Sequence, residues 1–126
     1  MKKIITIKNA PAPVGPYSQA ILHGNTLYSS GQIAIDPNTN ELVLSSIEEE
    51  THQVMKNIKA ILEAAQMNWN HVIKCSIFLS DMNNFGIINE IYASYFSINF
   101  PARETVEVAC LPKNVNVEIS FIAIQD

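Results

Sequence analysis

The longest regular pattern of hydrophobic and polar positions begins directly after Ser46. Apolar side chains there recur at three- and four-residue steps, which aligns them along one face of a helix. Ser46 and Glu49 have the spacing of a capping box, in which Ser46 accepts from the backbone and Glu49 reaches back. The pattern predicts a helix from about Ile47 to Gln66. Its apolar stripe comprises Ile47, Thr51, Val54, Met55, Ile58, Ile61, Leu62 and Ala65.

Short β-branched runs broken by turn residues occupy the region before this helix. Ile4 to Ile7 predicts an edge or opening strand, because a loop rich in proline follows it. Ser18 to His23 and Thr26 to Ile35 have the composition of strands, and the Gly24-Asn25 pair between them fits a tight hairpin turn. Two more pieces follow, the turn cluster Asp36 to Asn40 and a brief extended segment, Glu41 to Leu44.

A second helix and three strands are predicted after the first helix. Val72 to Leu79 is short, apolar and β-branched, which is typical of a strand buried on both faces, and Cys75 is expected in the core. Capping residues then precede a second apolar stripe, which ends at Asn99-Phe100-Pro101. The caps are Ser80, Asp81 and Asn83, and the stripe is Phe85, Ile88, Ile91, Tyr92, Tyr95 and Phe96. The last two strands are Arg103 to Ala109 and Val115 to Ile124.

This order of elements describes a single α+β domain over residues 1–126, with a mixed β-sheet and both helices packed on one face. No internal repeat or interdomain linker interrupts it. A sheet with one apolar face left uncovered invites aggregation, so we expect that face to be closed against copies of the same chain.

Composition changes this picture little. Hydrophobic residues make up 48% of the chain and charged residues 16%, against about 25% charged residues in typical soluble domains. Either apolar surface faces another subunit, or Asn and Ser replace charges on the surface. The net charge is -4 and the basic residues are not clustered, which argues against nucleic-acid binding.

Targeting and metal-binding signals are not found in the sequence. The chain has no uninterrupted apolar run of about 18 residues, and the apolar stretch near Met1 is too short for the core of a signal peptide. We therefore expect a cytoplasmic protein without a membrane span. Cys75 and Cys110 lack the spacing of a metal site, so we expect reduced thiols, no metal and no cofactor.

Two ionisable residues near the C-terminus are candidates for chemistry. Strand alternation places Arg103 and Thr105 on one face, where the guanidinium could hold a substrate carboxylate through two parallel hydrogen bonds. Otherwise Arg103 is an ordinary surface or interface arginine paired with an acid. Glu118 is flanked by apolar residues; if partly buried, it would pass protons to or from a water. Otherwise it is a solvent-facing glutamate of an alternating strand, and the pattern leaves these alternatives open.

Other polar residues carry no signal individually. Tyr17 fits loop packing, Ser30-Gly31 fits a bulge or a close backbone approach, and Asn89 fits a helix-surface amide. The three histidines share no spacing and are interpreted as incidental. They are His23, His52 and His71.

Taken together, these residues resemble the signature of the reactive intermediate deaminase (Rid) family, of the 2-iminobutanoate/2-iminopropanoate deaminase type. The resemblance runs nearly end to end, and many short motifs in the same order make it specific although none would suffice alone. The motifs are Asn9-Ala10-Pro11, Gly15-Pro16-Tyr17-Ser18-Gln19-Ala20, Ser30-Gly31-Gln32-Ile33, Asn57 to Ala65, Phe78-Leu79-Ser80-Asp81-Met82, Pro101-Ala102-Arg103, Val106-Glu107-Val108 and Leu111-Pro112.

The resemblance implies a chorismate-mutase-like α+β fold assembled as a homotrimer, with a central β-barrel and clefts between neighbouring subunits. It also implies cofactor-free hydrolysis of 2-aminoacrylate, its tautomer 2-iminopropanoate, and 2-iminobutanoate to 2-keto acids and ammonia. Arg103 would clamp the substrate carboxylate and Glu118 would assist the attacking water. The cleft would also be lined by Tyr17, Ser30, Gly31, Asn89 and Thr105.

One position departs from the family pattern. Thr105 stands two residues after the arginine, where the best-known deaminases often have cysteine. A hydroxyl can replace a thiol as a hydrogen-bond partner but not as a readily ionised nucleophile, which puts any thiolate mechanism in doubt. Two other functions stay open: a non-catalytic regulatory protein that binds small carboxylates, and a ribonuclease or translation inhibitor, which the acidic composition disfavours.

Overall fold

In the computed structural model, which describes all 126 residues, a six-stranded sheet carries two helices on one side. The elements are β1 (Lys2–Ile5), β2 (Ala20–His23), β3 (Thr26–Ser29), β4 (Ile35–Asp36), β5 (Glu41–Leu42), α1 (Ile47–Ala64), β6 (Val72–Leu79), α2 (Phe85–Ala93), β7 (Ala102–Glu107) and β8 (Val117–Ile124). The sheet order is β1-β2-β3-β8-β6-β7. Only β6 and β7 pair in parallel, so the predicted α+β class with a mixed sheet is confirmed. No helix in the chain combines the length and apolar character needed to span a membrane.

Helix α1 begins where the capping residues predict. The Ser46 side chain accepts a hydrogen bond of 3.1 Å from the Glu49 backbone N–H. The Glu49 carboxylate contacts the Ser45 hydroxyl instead of returning to Ser46, so only half of the predicted capping box forms. The helix ends at Ala64, two residues before the predicted end, because Gln66 adopts a left-handed conformation with a φ of 58°.

Burial alternates along the two longest strands. On β8, Val117, Ile119, Phe121 and Ala123 are buried under the helices, whereas Glu118 and its alternate neighbours lie on the opposite side of the sheet, the far face. The prediction that Val72 to Leu79 is buried on both faces is wrong for the single chain. Cys75 is in the core as predicted, but Ser76 and Phe78 are only partly buried, because the chain covers little of the far face beyond the small cluster of Ile33, Ile35, Leu111 and Val115 next to Phe78.

Several other boundaries differ from the predictions, including β1, which covers Lys2–Ile5 instead of Ile4 to Ile7. The predicted strand Thr26 to Ile35 stops at Ser29, where the chain leaves the sheet and returns to it through a single bridge between Gln32 and Ile119. Ile35 and Asp36 pair instead with β5 in a separate two-stranded sheet. Helix α2 stops before Tyr95 and Phe96, because the Ser94 hydroxyl donates to the Ile91 carbonyl at the last turn.

The far face carries an apolar row. Ile4, Ile21, Tyr28 and Ile122 lie in register on four neighbouring strands. The exposed fraction is 55% for Ile4 and 48% for Tyr28, so this row is open to solvent in the single chain. The uncovered sheet face expected from the sequence is therefore present.

Candidate active site

Arg103 lies on the edge strand β7 and projects towards α2. Its Nη1 donates to the Asn89 side-chain oxygen over 2.8 Å. The guanidinium carbon lies 5.0 Å from the centre of the Tyr92 ring and 5.7 Å from that of Phe85. The hydrogen bond and the two cation–π contacts hold the planar group in one orientation.

The guanidinium opens into a hollow of about 410 Å³, which we call the first hollow. It is lined by Asn89, Tyr92, Ala93, Phe100, Pro101 and Arg103. The chain contains two ion pairs, Lys59–Glu63 and Lys74–Glu104, and neither involves Arg103. Arg103 is therefore not paired with an acid of its own chain, and its free N–H groups are available to an anion.

The groups beneath Arg103 are uncharged. Burial raises the pKa of the Cys75 thiol, while the adjacent Tyr92 hydroxyl and the charge of Arg103 act in the opposite direction. Burial also raises the pKa of the Tyr92 hydroxyl, which lies beside Cys75 but outside good hydrogen-bond geometry. Thr105 faces the same side of β7, and its hydroxyl is buried without a hydrogen-bond partner. Arg103 thus supplies the charge of the first hollow.

Glu118 lies in a different place, a smaller hollow of about 150 Å³ on the other side of the sheet. This second hollow is lined by residues that include Tyr17, Gly31, Gln32, Pro112 and Glu118. A Cβ atom on Gly31 would stand 2.6 Å from the Glu118 carboxyl carbon, so only glycine allows the carboxyl group to lie there. Burial raises the pKa of Glu118, so this carboxyl group takes up a proton more readily than an exposed glutamate.

Backbone contacts fix the walls of the second hollow. Gln32 N donates to the Ile119 carbonyl over 2.8 Å, and Ile119 N donates to the Gln32 carbonyl over 3.0 Å. The Tyr17 hydroxyl accepts from Val14 N over 3.2 Å. Ser30 precedes two residues that line this hollow, but its hydroxyl donates to the Ser18 carbonyl.

The structure therefore sorts the predicted site residues into two groups. Arg103, Asn89 and Thr105 lie on the helix side of the sheet. Tyr17, Gly31 and Glu118 line the second hollow, and Glu118 is on the far face. One chain does not bring the two groups together, because β7 and β8 project Arg103 and Glu118 to opposite faces.

The sequence gives no role in the site to two residues that contribute to it. The pattern places Tyr92 only in an apolar stripe, yet its ring supports Arg103. Gln19 is buried, and its amide donates to the Ala10 and Pro11 carbonyls, which shapes the loop before Tyr17. A strand pattern could not show this, because the contacts depend on how the loop folds back.

Replacing Gly31 with alanine is expected to displace the Glu118 carboxyl group and to impair any chemistry that depends on it. The fold should be retained, since Gly31 is exposed and the obstructing atoms belong to a side chain. Circular dichroism and activity measurements check both expectations. Gly86→Ala is the matched control, because a Cβ there meets nothing within 4 Å. Full activity in Gly31→Ala would show that the close contact between Gly31 and the Glu118 carboxyl group is not needed for activity.

Comparisons with known proteins match the whole chain. The family model described as endoribonuclease L-PSP matches residues 7–125. A RutC family protein of Pyrococcus horikoshii is 54% identical over 126 residues, covering 100% of both chains. The human 2-iminobutanoate/2-iminopropanoate deaminase is 45% identical over 125 residues, covering 99% of this chain and 91% of its own. A solved Rid-family structure from Yersinia pestis superposes with a TM-score of 0.96 at 49% identity, covering 99% of this chain and 100% of its own.

Proposed function

The chain belongs to the endoribonuclease L-PSP family, also called the Rid or YjgF family, and on that premise we propose that it hydrolyses reactive imino acids to 2-keto acids and ammonia. The substrates proposed are 2-aminoacrylate with its tautomer 2-iminopropanoate, and 2-iminobutanoate. The observation that carries the proposal is Arg103, an arginine without an acidic partner held open to an anion by Asn89 and two aromatic rings. The name of the human relative supports the same chemistry.

The complete site is proposed to form between copies of the chain in a homotrimer. Arg103 of one chain would meet Glu118 of its neighbour, because each chain presents the two residues on opposite faces of its sheet. The uncovered apolar row of the far face supports such an assembly, in which the sheets close into a barrel.

In the proposed reaction, Arg103 binds the substrate carboxylate and fixes the position of the imine carbon. Glu118 takes a proton from a water. The water oxygen adds to the carbon of the N-protonated imine, which gives a carbinolamine. The proton passes from Glu118 to the carbinolamine nitrogen. The C–N bond then breaks while the hydroxyl oxygen forms the C=O bond and gives its proton to the Glu118 carboxylate, which releases it to solvent, and ammonia leaves the 2-keto acid. The proposed steps use no thiolate: Cys75 is buried, and Thr105 occupies the position two after the arginine.

Freshly generated 2-aminoacrylate provides the test. The protein is expected to accelerate pyruvate formation, followed with an NADH-coupled assay, above the rate in buffer. Pyruvate formation no faster than in buffer would reject the deaminase proposal. Binding of a small 2-keto acid without turnover would instead indicate a carboxylate-binding regulatory protein.

Mixed oligomers test the location of the site. Arg103→Ala and Glu118→Gln chains, each inactive alone, are refolded together in equal amounts. If the site lies between neighbouring chains, about one quarter of the sites in random trimers contain both intact residues, and activity returns to about that fraction. No recovery in confirmed mixed trimers would show that both residues must come from the same chain, which contradicts a site between neighbouring chains.

A further inference from the structure

Glu50 is a fully buried acid for which the proposed reaction has no use. It lies in the first turn of α1, with an exposed fraction of 0%. Its carboxyl oxygens accept three hydrogen bonds: from Asn116 N over 2.8 Å, Asn116 Nδ2 over 2.7 Å and Val117 N over 3.2 Å. Neither ion pair of the chain involves it. Three N–H donors and the adjacent helix N-terminus therefore surround this carboxyl group.

All three donors belong to the two residues immediately before Glu118. On the other side of Glu118, Ile119 is fixed to Gln32 by two backbone hydrogen bonds. Besides the pairing of this stretch with β6, Glu118 thus has a contact to Glu50 just before it and a contact to Gln32 just after it. The loop leading to this point contains Lys113 and Asn114, each with a left-handed φ of 56°.

The second hollow makes the position of Glu118 sensitive to small shifts. Its carboxyl group occupies the space that a Cβ on Gly31 would need. A displacement of the start of β8 would therefore either press Glu118 against Gly31 or release its carboxyl group to solvent. Glu50 lies on the helix side of the sheet and binds Val117, whose next neighbour along β8, Glu118, projects from the far face.

We propose that Glu50 is a positioning residue for Glu118. By binding Asn116 and Val117 from the helix side, it sets the point from which Glu118 projects into the second hollow. This inference rests on the proposed role of Glu118 in proton transfer, so the experiment includes a measurement that does not require activity.

Glu50→Gln is the primary variant, because it keeps the side-chain volume but turns an N–H group towards the Asn116 amide. The double variant Glu50→Gln/Asn116→Asp restores a donor–acceptor pair, leaves an acceptor for the Ser80 hydroxyl and keeps the net charge. Asn116→Ala removes only one of the three bonds and serves if Glu50→Gln does not fold. Glu48→Gln, on the same turn but exposed, is the control.

Folded Glu50→Gln is expected to lose about tenfold in kcat with KM changed by less than about twofold, because substrate binding at Arg103 is untouched while the proton-transfer group shifts. NMR titration of the Glu118 carboxyl group should show its pKa falling towards the ordinary glutamate value as the group becomes more solvated. Tyr17, the other titratable side chain lining that hollow, is unchanged in every variant. The double variant should recover both quantities.

A purely structural role predicts different results. If kcat falls only in proportion to the folded fraction and the Glu118 titration does not move, the proposal is overturned. Recovery of stability without recovery of kcat in the double variant would overturn it as well. Should the wild-type protein not hydrolyse imines, the deaminase proposal fails, and the Glu118 titration alone then decides the role of Glu50.

Discussion

Replacing Glu118 with glutamine is expected to lower kcat by about 10²- to 10⁴-fold, the usual contribution of a general acid–base group. Glutamine has nearly the same shape and fits beneath Gly31, but it cannot accept the proton of the attacking water. KM should change little, because the proposed partner of the substrate carboxylate is Arg103. Steady-state kinetics of imine hydrolysis measure both constants.

The pH profile gives a second readout for Glu118. The ionised form accepts the proton, so activity should rise with pH through the pKa of this group. Because burial raises that pKa, the acid limb should lie above the ordinary glutamate value of about 4.3, and Glu118→Gln should lack it. Glu90→Gln, exposed on α2, is the control. A limb that persists in Glu118→Gln would assign the titration to another group.

Replacing Arg103, the single arginine of the chain, with alanine is expected to lower kcat/KM about a hundredfold or more. Hydrogen bonds to a charged group contribute about 1.5 to 3 kcal/mol each, and a bidentate carboxylate loses two of them. Arg103→Lys should recover part of this loss, because lysine keeps the charge but not the planar pair of donors. Steady-state kinetics with 2-aminoacrylate compare kcat/KM for the wild type, Arg103→Lys and Arg103→Ala.

The fold should survive these changes to Arg103, because the side chain is only partly buried and its ring contacts contribute about 1 kcal/mol each. Lys56→Ala removes one positive charge from an exposed site on α1 and is the charge control. A kcat/KM of Arg103→Ala equal to that of Lys56→Ala would show that the first hollow does not bind the substrate carboxylate.

The sequence pattern predicted an element well where its hydrogen-bond partners lie close in the sequence. The apolar stripe after Ser46 and its cap gave α1 nearly to its ends, because helix hydrogen bonds are local. The strand pattern after Thr26 failed at Ser30, because departure from the sheet depends on the distant Ile119. The uniform apolar run of β6 predicted a strand buried on both faces. In the single chain only its helix side is fully buried, and the proposed homotrimer would cover its other side.

The candidate site was predicted residue by residue but not in space. The resemblance pointed to Arg103, Asn89, Gly31 and Glu118 one by one, and the structure joins Arg103 to Asn89 and Gly31 to Glu118. That the two pairs occupy opposite faces follows from strand alternation only once the topology is known. Glu50 suggested no more than a helix N-terminus, because its partners lie 66 and 67 residues further along the chain.

The two outermost strands of the sheet decide how this protein can associate with itself. β1 and β7 are the edges, and both carry charged side chains: Lys2 and Lys3 on one, and Arg103, Glu104 and Glu107 on the other. Charges on an edge oppose the strand-by-strand addition that leads to fibrils. In the proposed homotrimer, the chains would associate instead through the apolar row of the far face, and rotational symmetry would close the contacts after three copies. The charge distribution thus favours particles of finite size over open-ended growth.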